Sequence, residues 1–511
     1  MKILFSFSNL LFCKKNLSFK IIALIFFLIA SAQNIFAQPL INRLVKRGLE
    51  YGYNFNWNKS EGVFQNLIAR YPNDPRGYHY ESGIYLWRYL SNQDKVDLDN
   101  FVLYSDSAIT KAQDILDKHP NRIDILYTLG ATYSYRAIAF IRAQKFLDAV
   151  WATKKSDSYL SETLRKDSTE YDAYLGLGLY NFAVGQIPAA FKWALNLAGI
   201  HGNVESGLKS IKIAAMKGNL AKVEAEYYLA QILSDFFADY DQSSKYLRNL
   251  ISRYPDNLLF NYTYAVLEIK THNLNEASKT LSRILDNSDS EFKQLISFSE
   301  FLKGDIFFKK NEFDSCKTYY LNFLKTSPST DYKGIAAYRL AVSYEITHER
   351  NEAVKYFKLT GDGNMDLEDD IYAKRKGEIF ANRTMAYTEM DAIEDDNLIQ
   401  SGRFKTAFDS LSALLERVKT DRLKAEVYIY LSSAAYYLHN YNESLSFALT
   451  AKVLNSEEEK WIKPYACYYA ARASFKLKDK SAVKNFIKEA ESYSDFDYQK
   501  KLKNLLFALS E

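Results

Sequence analysis

Along most of this chain the apolar residues continue one face for helical stretches, with few interruptions, a pattern that predicts long amphipathic helices. Only eight prolines and nineteen glycines punctuate the 511 residues. Four of those prolines stand in one register. Counting back from Pro72, Pro120, Pro255 and Pro328, the residue twelve earlier is Ser60, Ala108, Ser243 or Cys316. Eight earlier stand Phe64, Ala112, Leu247 and Tyr320, and five earlier Leu67, Ile115, Leu250 and Phe323. The small residue admits a neighbouring helix, the next two extend its apolar face, and proline ends the helix by disfavouring helical geometry just before it. A second phrase precedes the first: Leu129-Gly130-x-x-Tyr133, Lys303-Gly304-x-x-Phe307 and Leu340-Ala341-x-x-Tyr344. Its small residue recurs twelve positions on, as in Gly304 to Cys316 and Ala341 to Ala353. The two phrases together predict a helix-turn-helix unit of about 34 residues that buries its apolar face by stacking on its neighbours.

With these phrases the chain resembles a tetratricopeptide repeat protein, in segments beginning near Ile41, Asp124, Glu224, Leu258, Ser297, Gly334, Ala425 and Lys463. The resemblance implies an all-α fold, its helical hairpins stacked into a right-handed superhelical solenoid. It departs from the family pattern at Gln231 and Ser432, which stand where Gly or Ala is expected, and the spacing is stretched at 91–100 and 134–156, where long helices or inserted loops are expected. Repeats are expected over 38–169, 223–362 and 401–511, the last ending in a capping helix from Lys484 to Phe507.

Residues 170–222 differ. Gly176, Gly178, Tyr180, Asn181, Pro188, Gly199, Gly202 and Gly207 surround an apolar run whose one charge between Asn181 and His201 is Lys192. This segment resembles the tetratricopeptide repeat 39 family and its fungal relatives. It is expected to be an inserted helical hairpin, bent and fitted by Gly178, Asn181, Pro188 and Gly199, with Phe182, Phe191, Trp193 and Leu197 in its core. The alternatives are an apolar groove or a membrane-facing surface; a lone lysine argues against the membrane, because interfacial helices carry a basic face.

The rhythm breaks again over 363–400, an expected irregular acidic joint between two solenoid segments. GDGNMDLEDD, from Gly361 to Asp370, is close to a calcium loop, but Leu367 stands where Gly is needed and Ala373 where a bidentate Glu is needed, so a plain acidic turn is expected. Glu389, Asp391, Glu394, Asp395 and Asp396 read as a solvated helix end.

Residues 1–37 read as an export signal. Lys2, Lys14, Lys15 and Lys20 precede the apolar block Ile21–Ala30, and small residues lead to Ala37 as the expected cleavage position. An uncleaved N-terminal anchor is the alternative. Those four lysines account for the formal charge of +4, leaving 62 basic against 62 acidic residues, a balance that offers nucleic acid no electrostatic footprint. Cys316 and Cys467, far apart in helical contexts, read as buried thiols. No cofactor or metal is expected.

The chain lacks a Walker loop, GxSxG, HExxH and CxxC, and its six histidines are scattered, so no catalytic residue is assigned. His348-Glu349-Arg350 sits at an expected turn. The reading is a non-enzymatic protein-interaction scaffold of the bacterial cell envelope, periplasmic or secreted, holding a peptide or protein on its concave face. By register the contact residues are Tyr127, Ala131, Tyr338, Val342, Glu345, Ser433 and Tyr436. The alternatives are a glycan-binding outer-membrane capture protein and an outer-membrane assembly factor.

Overall fold

A computed structural model of the chain describes residues 39–187, 199–286 and 292–510. The expected export segment at 1–37 lies outside the described residues, as do Pro188, Phe191, Lys192, Trp193 and Leu197. The described residues form α-helices joined by turns and one short 3-10 turn at Thr360–Asp362, an all-α helical-repeat solenoid. The chain groups into two compact units, one holding Asp94–Asn203 with the residues up to Tyr89, the other holding Val204–Glu511 with Leu90–Gln93. The division falls after Asn203, not in the expected joint at 363–400.

In the first unit, the stretched spacings turn out to be long helices, Lys95–Lys118, Ile123–Arg142 and Phe146–Lys166. Ala173–Gly185 follows, with Gly178 buried and Asn181 Nδ2 donating to the Leu177 carbonyl at 2.9 Å. Phe182 is buried as expected. Gly199 has φ +68°, a left-handed conformation that favours glycine. The close approach belongs to Gly202, where a Cβ would come within 2.5 Å of the Val184 side chain.

The second unit is a succession of hairpins: Lys222–Asp235 with Tyr240–Arg253, Leu258–Lys270 with Leu274–Leu285, Lys293–Lys309 with Phe313–Thr326, and Lys333–Ile346 with Arg350–Phe357. After Glu368–Asn382 come Tyr387–Gln400 with Phe404–Arg417, Asp421–Tyr437 with Tyr441–Val453, and Ile462–Lys476 with Lys480–Glu491. Many hairpins turn on one left-handed residue, at His272, Asn311, His348, Gly402, His439 and Lys478. Three of the histidines therefore mark turns, and His348 is exposed as expected.

The proline phrase is core. Ser60, Phe64, Leu67, Ala108, Ala112, Ser243, Leu247, Leu250, Cys316, Tyr320 and Phe323 are all buried. Serine at the small position also bonds the facing helix: Ser60 Oγ donates to the Gly48 carbonyl and Ser243 Oγ to the Ala230 carbonyl, each at 2.8 Å. The two departures from the family pattern follow from this contact. Ala230, not Gln231, occupies the small position opposite Ser243, so the expected register was one residue off. Ser432 is a true replacement, held by reciprocal bonds in which Ser432 Oγ donates to the Ser444 carbonyl at 2.7 Å and Ser444 Oγ to the Ser432 carbonyl at 2.8 Å. Where glycine stands instead, a large side chain fills the room: a Cβ on Gly304 would lie 2.8 Å from the Tyr320 ring, and one on Gly130 2.7 Å from the Leu160 side chain.

The acidic region is largely helical rather than irregular, and while Asp362 and Asp366 are exposed, others of its acids are buried. Asp370 is fully buried, its carboxylate accepting the backbone N–H groups of Tyr332, Ile335 and Asn364 at 2.9, 2.8 and 2.8 Å. It thereby fixes the left-handed Tyr332 that starts the Lys333–Ile346 helix. Glu389 and Asp395 are buried too. The expected capping helix is also two elements, because the helix ends at Glu491 and a new one begins as Gln499–Ser510.

Candidate functional site: the inner face of the second unit

Some first helices carry an isolated charge in an otherwise apolar or aromatic run, such as Arg339 in AAYRLAVSY and Arg472 in YYAARASF. In the second unit these charges converge. Lys501, on the Gln499–Ser510 helix, is faced by Lys270, Lys309, Arg339 and Asp369 from four different helices. The Lys501 side chain is open to water, yet the surrounding protein strips enough hydration to hold its ammonium below the ordinary lysine range, with Lys309, Arg339 and Lys270 pushing the same way against Asp369. Lys501 thus shares one neighbourhood with charges from four other helices of the unit.

Tyrosines line this face. Tyr372 packs edge-on against Tyr338 at 5.8 Å and tilted against Tyr498 at 5.3 Å. Arg472 lies 3.6 Å from the Tyr436 ring centroid and 4.8 Å from that of Tyr437, a cation–π contact with each of two perpendicular rings.

Ion pairs between distant hairpins hold the lining. Glu459 accepts from Lys376 Nζ at 2.8 Å, Arg375 at 2.7 Å and Trp461 Nε1 at 2.9 Å, and Arg375 continues to Asp497. Burial opposes the Glu459 charge, but Lys376 and Arg375 outweigh it and keep the carboxyl ionised below its usual range. Glu389 is clamped by both guanidinium nitrogens of Arg383 at 2.7 and 2.8 Å and by Arg422. These bonds overcome burial and lower its pKa to about 2. Asp396 has no such clamp, and burial raises it to about 6. Asp305 pairs with Lys309 at 2.8 Å and with Arg339; the two cations outweigh burial and keep its carboxyl below the usual range. Beside the last helix a cleft of about 640 Å³ is lined by Glu368, Arg375, Lys460, Asp497 and Lys500, among others.

The residues picked by register fall differently. Val342 is fully buried, and Glu345 is 3% exposed, its carboxylate bonded to Arg350 at 2.8 Å and to the Met385 N–H at 3.1 Å. Glu345 therefore ties two elements together instead of offering itself to a partner. Tyr338 and Ser433 are also buried. Tyr127 packs against Leu160, Ala173 and Leu177, and Ala131 is half-buried. Of the seven, two reach the lining: the half-buried Tyr436 under Arg472 and the buried Tyr338 against Tyr372. The register was sound for helix faces, but the first helices pack so closely that their central positions become core. Asp369, Arg472, Glu459 and Lys501 were missed; Arg472 carried a signal, an isolated charge within an apolar helix, whereas the other three stand in charged runs that nothing local sets apart.

Cys316 and Cys467 are free and buried as expected, their thiols pushed to about 12 chiefly by burial. Among the described residues no group of three or more His, Cys, Asp or Glu side chains could hold a metal ion, and no helix is long and apolar enough to cross a membrane. The face offers charged groups and aromatic surfaces, the means of binding by ion pairs, hydrogen bonds and stacking.

No curated protein matches the chain. Among solved structures, similarity is found to yeast Tom70, 14% identical over 93% of this chain and 96% of that one with TM-score 0.26. A tetratricopeptide repeat protein from Parabacteroides merdae is 12% identical over 57% of this chain and 99% of its own, TM-score 0.25. The human IFIT1 dimer with PPP-AAAA is 13% identical over 80% and 93%, TM-score 0.35. Superpositions this loose support no argument about function. The family model of Iml2/Tetratricopeptide repeat protein 39 matches residues 126–392, far beyond the glycine-rich segment that first suggested it and more than half of the 511 residues. The chain belongs to the Iml2/Tetratricopeptide repeat protein 39 family.

Proposed function

We propose that this protein is a non-enzymatic interaction scaffold of the cell envelope that holds a peptide or protein partner on the inner face of its 204–510 unit. Tetratricopeptide folds bind protein partners in general, and the observation that supports the reading here is the lining around Lys501, where Asp369, Lys309, Arg339 and Lys270 from four helices lie close enough to act on its charge. Such a lining favours a ligand bearing charge of both signs and aromatic or apolar side chains. The basic, then apolar, then small-residue order of 1–37 supports export.

The test is capture of a partner from an envelope extract by the purified chain and by Asp369→Lys, which reverses a charge on the inner face. Loss of the captured protein with an unchanged melting temperature is expected; equal capture would retire this face. Cell fractionation that places the protein in the cytosol would remove the envelope part.

A further inference from the structure

We infer that the inner face of the second unit is shaped to take an amphipathic helix with leucines four residues apart and a lysine beside the first, and that Gln499–Ser510 is its resident occupant. The inference rests on the reading of that face as the binding surface and names the kind of partner it fits. Leu502 and Leu506 are 1% and 2% exposed, packed with Cys467, Tyr468 and Ala490. A simple cap would touch only this last hairpin.

This helix reaches much further. The Glu368 carboxylate, more than 130 residues earlier in the chain, accepts the backbone N–H groups of Lys500 and Lys501 at 2.6 and 3.0 Å, so a distant hairpin supplies its N-terminal cap. Phe507 lies 6.0 Å from Phe237, at the opposite end of the unit's sequence. The helix thus spans the face as a bound peptide would, with its leucines seated, its first turn capped by an acid and Lys501 near Asp369.

It is also built to leave. Twelve residues make a helix that is marginal by itself in water, so its order depends on the docking contacts. It is tethered through a short segment with left-handed residues at Asp495 and Tyr498, where no regular element continues into it. A partner helix of the same pattern competes for the same leucine seats and the same Glu368 carboxylate, so partner capture and release of 499–510 are one exchange.

The experiment uses the full chain, a fluorescein-labelled synthetic peptide of residues 499–510, and two variants that loosen the resident helix while leaving its seat and the Glu368 cap intact: Leu502→Asp with Leu506→Asp, and Asn504→Pro, at an exposed position inside the helix. Hydrogen exchange at 499–510 should quicken in both variants, and each should bind the peptide at least tenfold more tightly than the unaltered chain. If the double variant fails to fold, Asn504→Pro carries the test. Peptide binding no tighter than to the unaltered chain overturns the inference. That result leaves the Asp369→Lys capture experiment to judge the binding face, so the two failures are told apart.

Discussion

Lys376 donates to Glu459 across 2.8 Å, with side chains 7% and 4% exposed, although 83 residues separate them. The bond joins the Glu368–Asn382 helix to the turn before Ile462–Lys476, so it measures how firmly distant hairpins are closed on one another. Removing one partner strands the other charge in a poorly hydrated place. Glu459→Ala should destabilise the second unit by about 3–5 kcal/mol, and Lys376→Met with Glu459→Leu should recover most of that, as replacement of both buried charges commonly does. Urea denaturation followed by circular dichroism checks both; a Glu459→Ala cost below about 1 kcal/mol would show the pair to be dispensable.

Burial fixes the behaviour of His79 in the first unit. It is 2% exposed, its Nδ1 lies 3.0 Å from Thr132 Oγ1, and loss of hydration lowers its pKa from 6.5 to about 3. Below pH 6.5 the unfolded chain takes up a proton that the folded one refuses, so this group withdraws stability as pH falls from about 6.5 to about 3, by up to about 1.4 kcal/mol per pH unit. Glu81 works oppositely: burial raises it from 4.5 to about 7, and its folded form gains a proton first as pH falls through that window. His79→Gln should therefore make the first unit less sensitive to acid than the parent chain, most clearly below pH 4.5. Parallel acid-dependent melting curves for the two proteins would contradict this assignment.

The Glu389 clamp gives the second unit an acid limit of its own. Its folded pKa of about 2 lies below the ordinary 4.5, so its contribution is complete above pH 4.5 and is lost as pH falls toward 2. Linkage puts that contribution at roughly 3 kcal/mol. Glu389→Gln should destabilise the unit at pH 7 and flatten its loss of stability between pH 4.5 and 2. An unchanged slope in acid titration of the unfolding free energy would show that the Arg383 and Arg422 contacts do not set it.

Helix spacing is tested by two glycines. A Cβ on Gly304 meets the fully buried Tyr320 ring at 2.8 Å, whereas Gly62 has nothing within 4 Å. Gly304→Ala should cost about 1–3 kcal/mol through overpacking. Gly62→Ala should be neutral or add up to about 1 kcal/mol from helix propensity. Hydrogen exchange in each glycine's own hairpin reads the difference, and equal effects would mean the hairpins do not rely on the small position.

The proline phrase, the small residue twelve positions earlier and the Gly-x-x-aromatic phrase determined the helical repeat, because each acts within one hairpin or between immediate neighbours. Ser60, Ser243 and Cys316 stand in the core where the spacing placed them. Where the sequence fell short, the partner was remote. Nothing local distinguishes Asp370, which holds three backbone amides, from the exposed acids of a turn, or tells that Glu389 is clamped by Arg422. The same holds for Val342 and Glu345, whose helix face was legible but whose enclosure depends on the elements that close over them. Charge within an apolar helix could have drawn attention to Arg339 and Arg472, yet where those charges converge is set by the curvature accumulated over many hairpins. Short-range periodicity determines which residues are core in a repeat; only tertiary packing decides which charges share an inner face, and which helix occupies it.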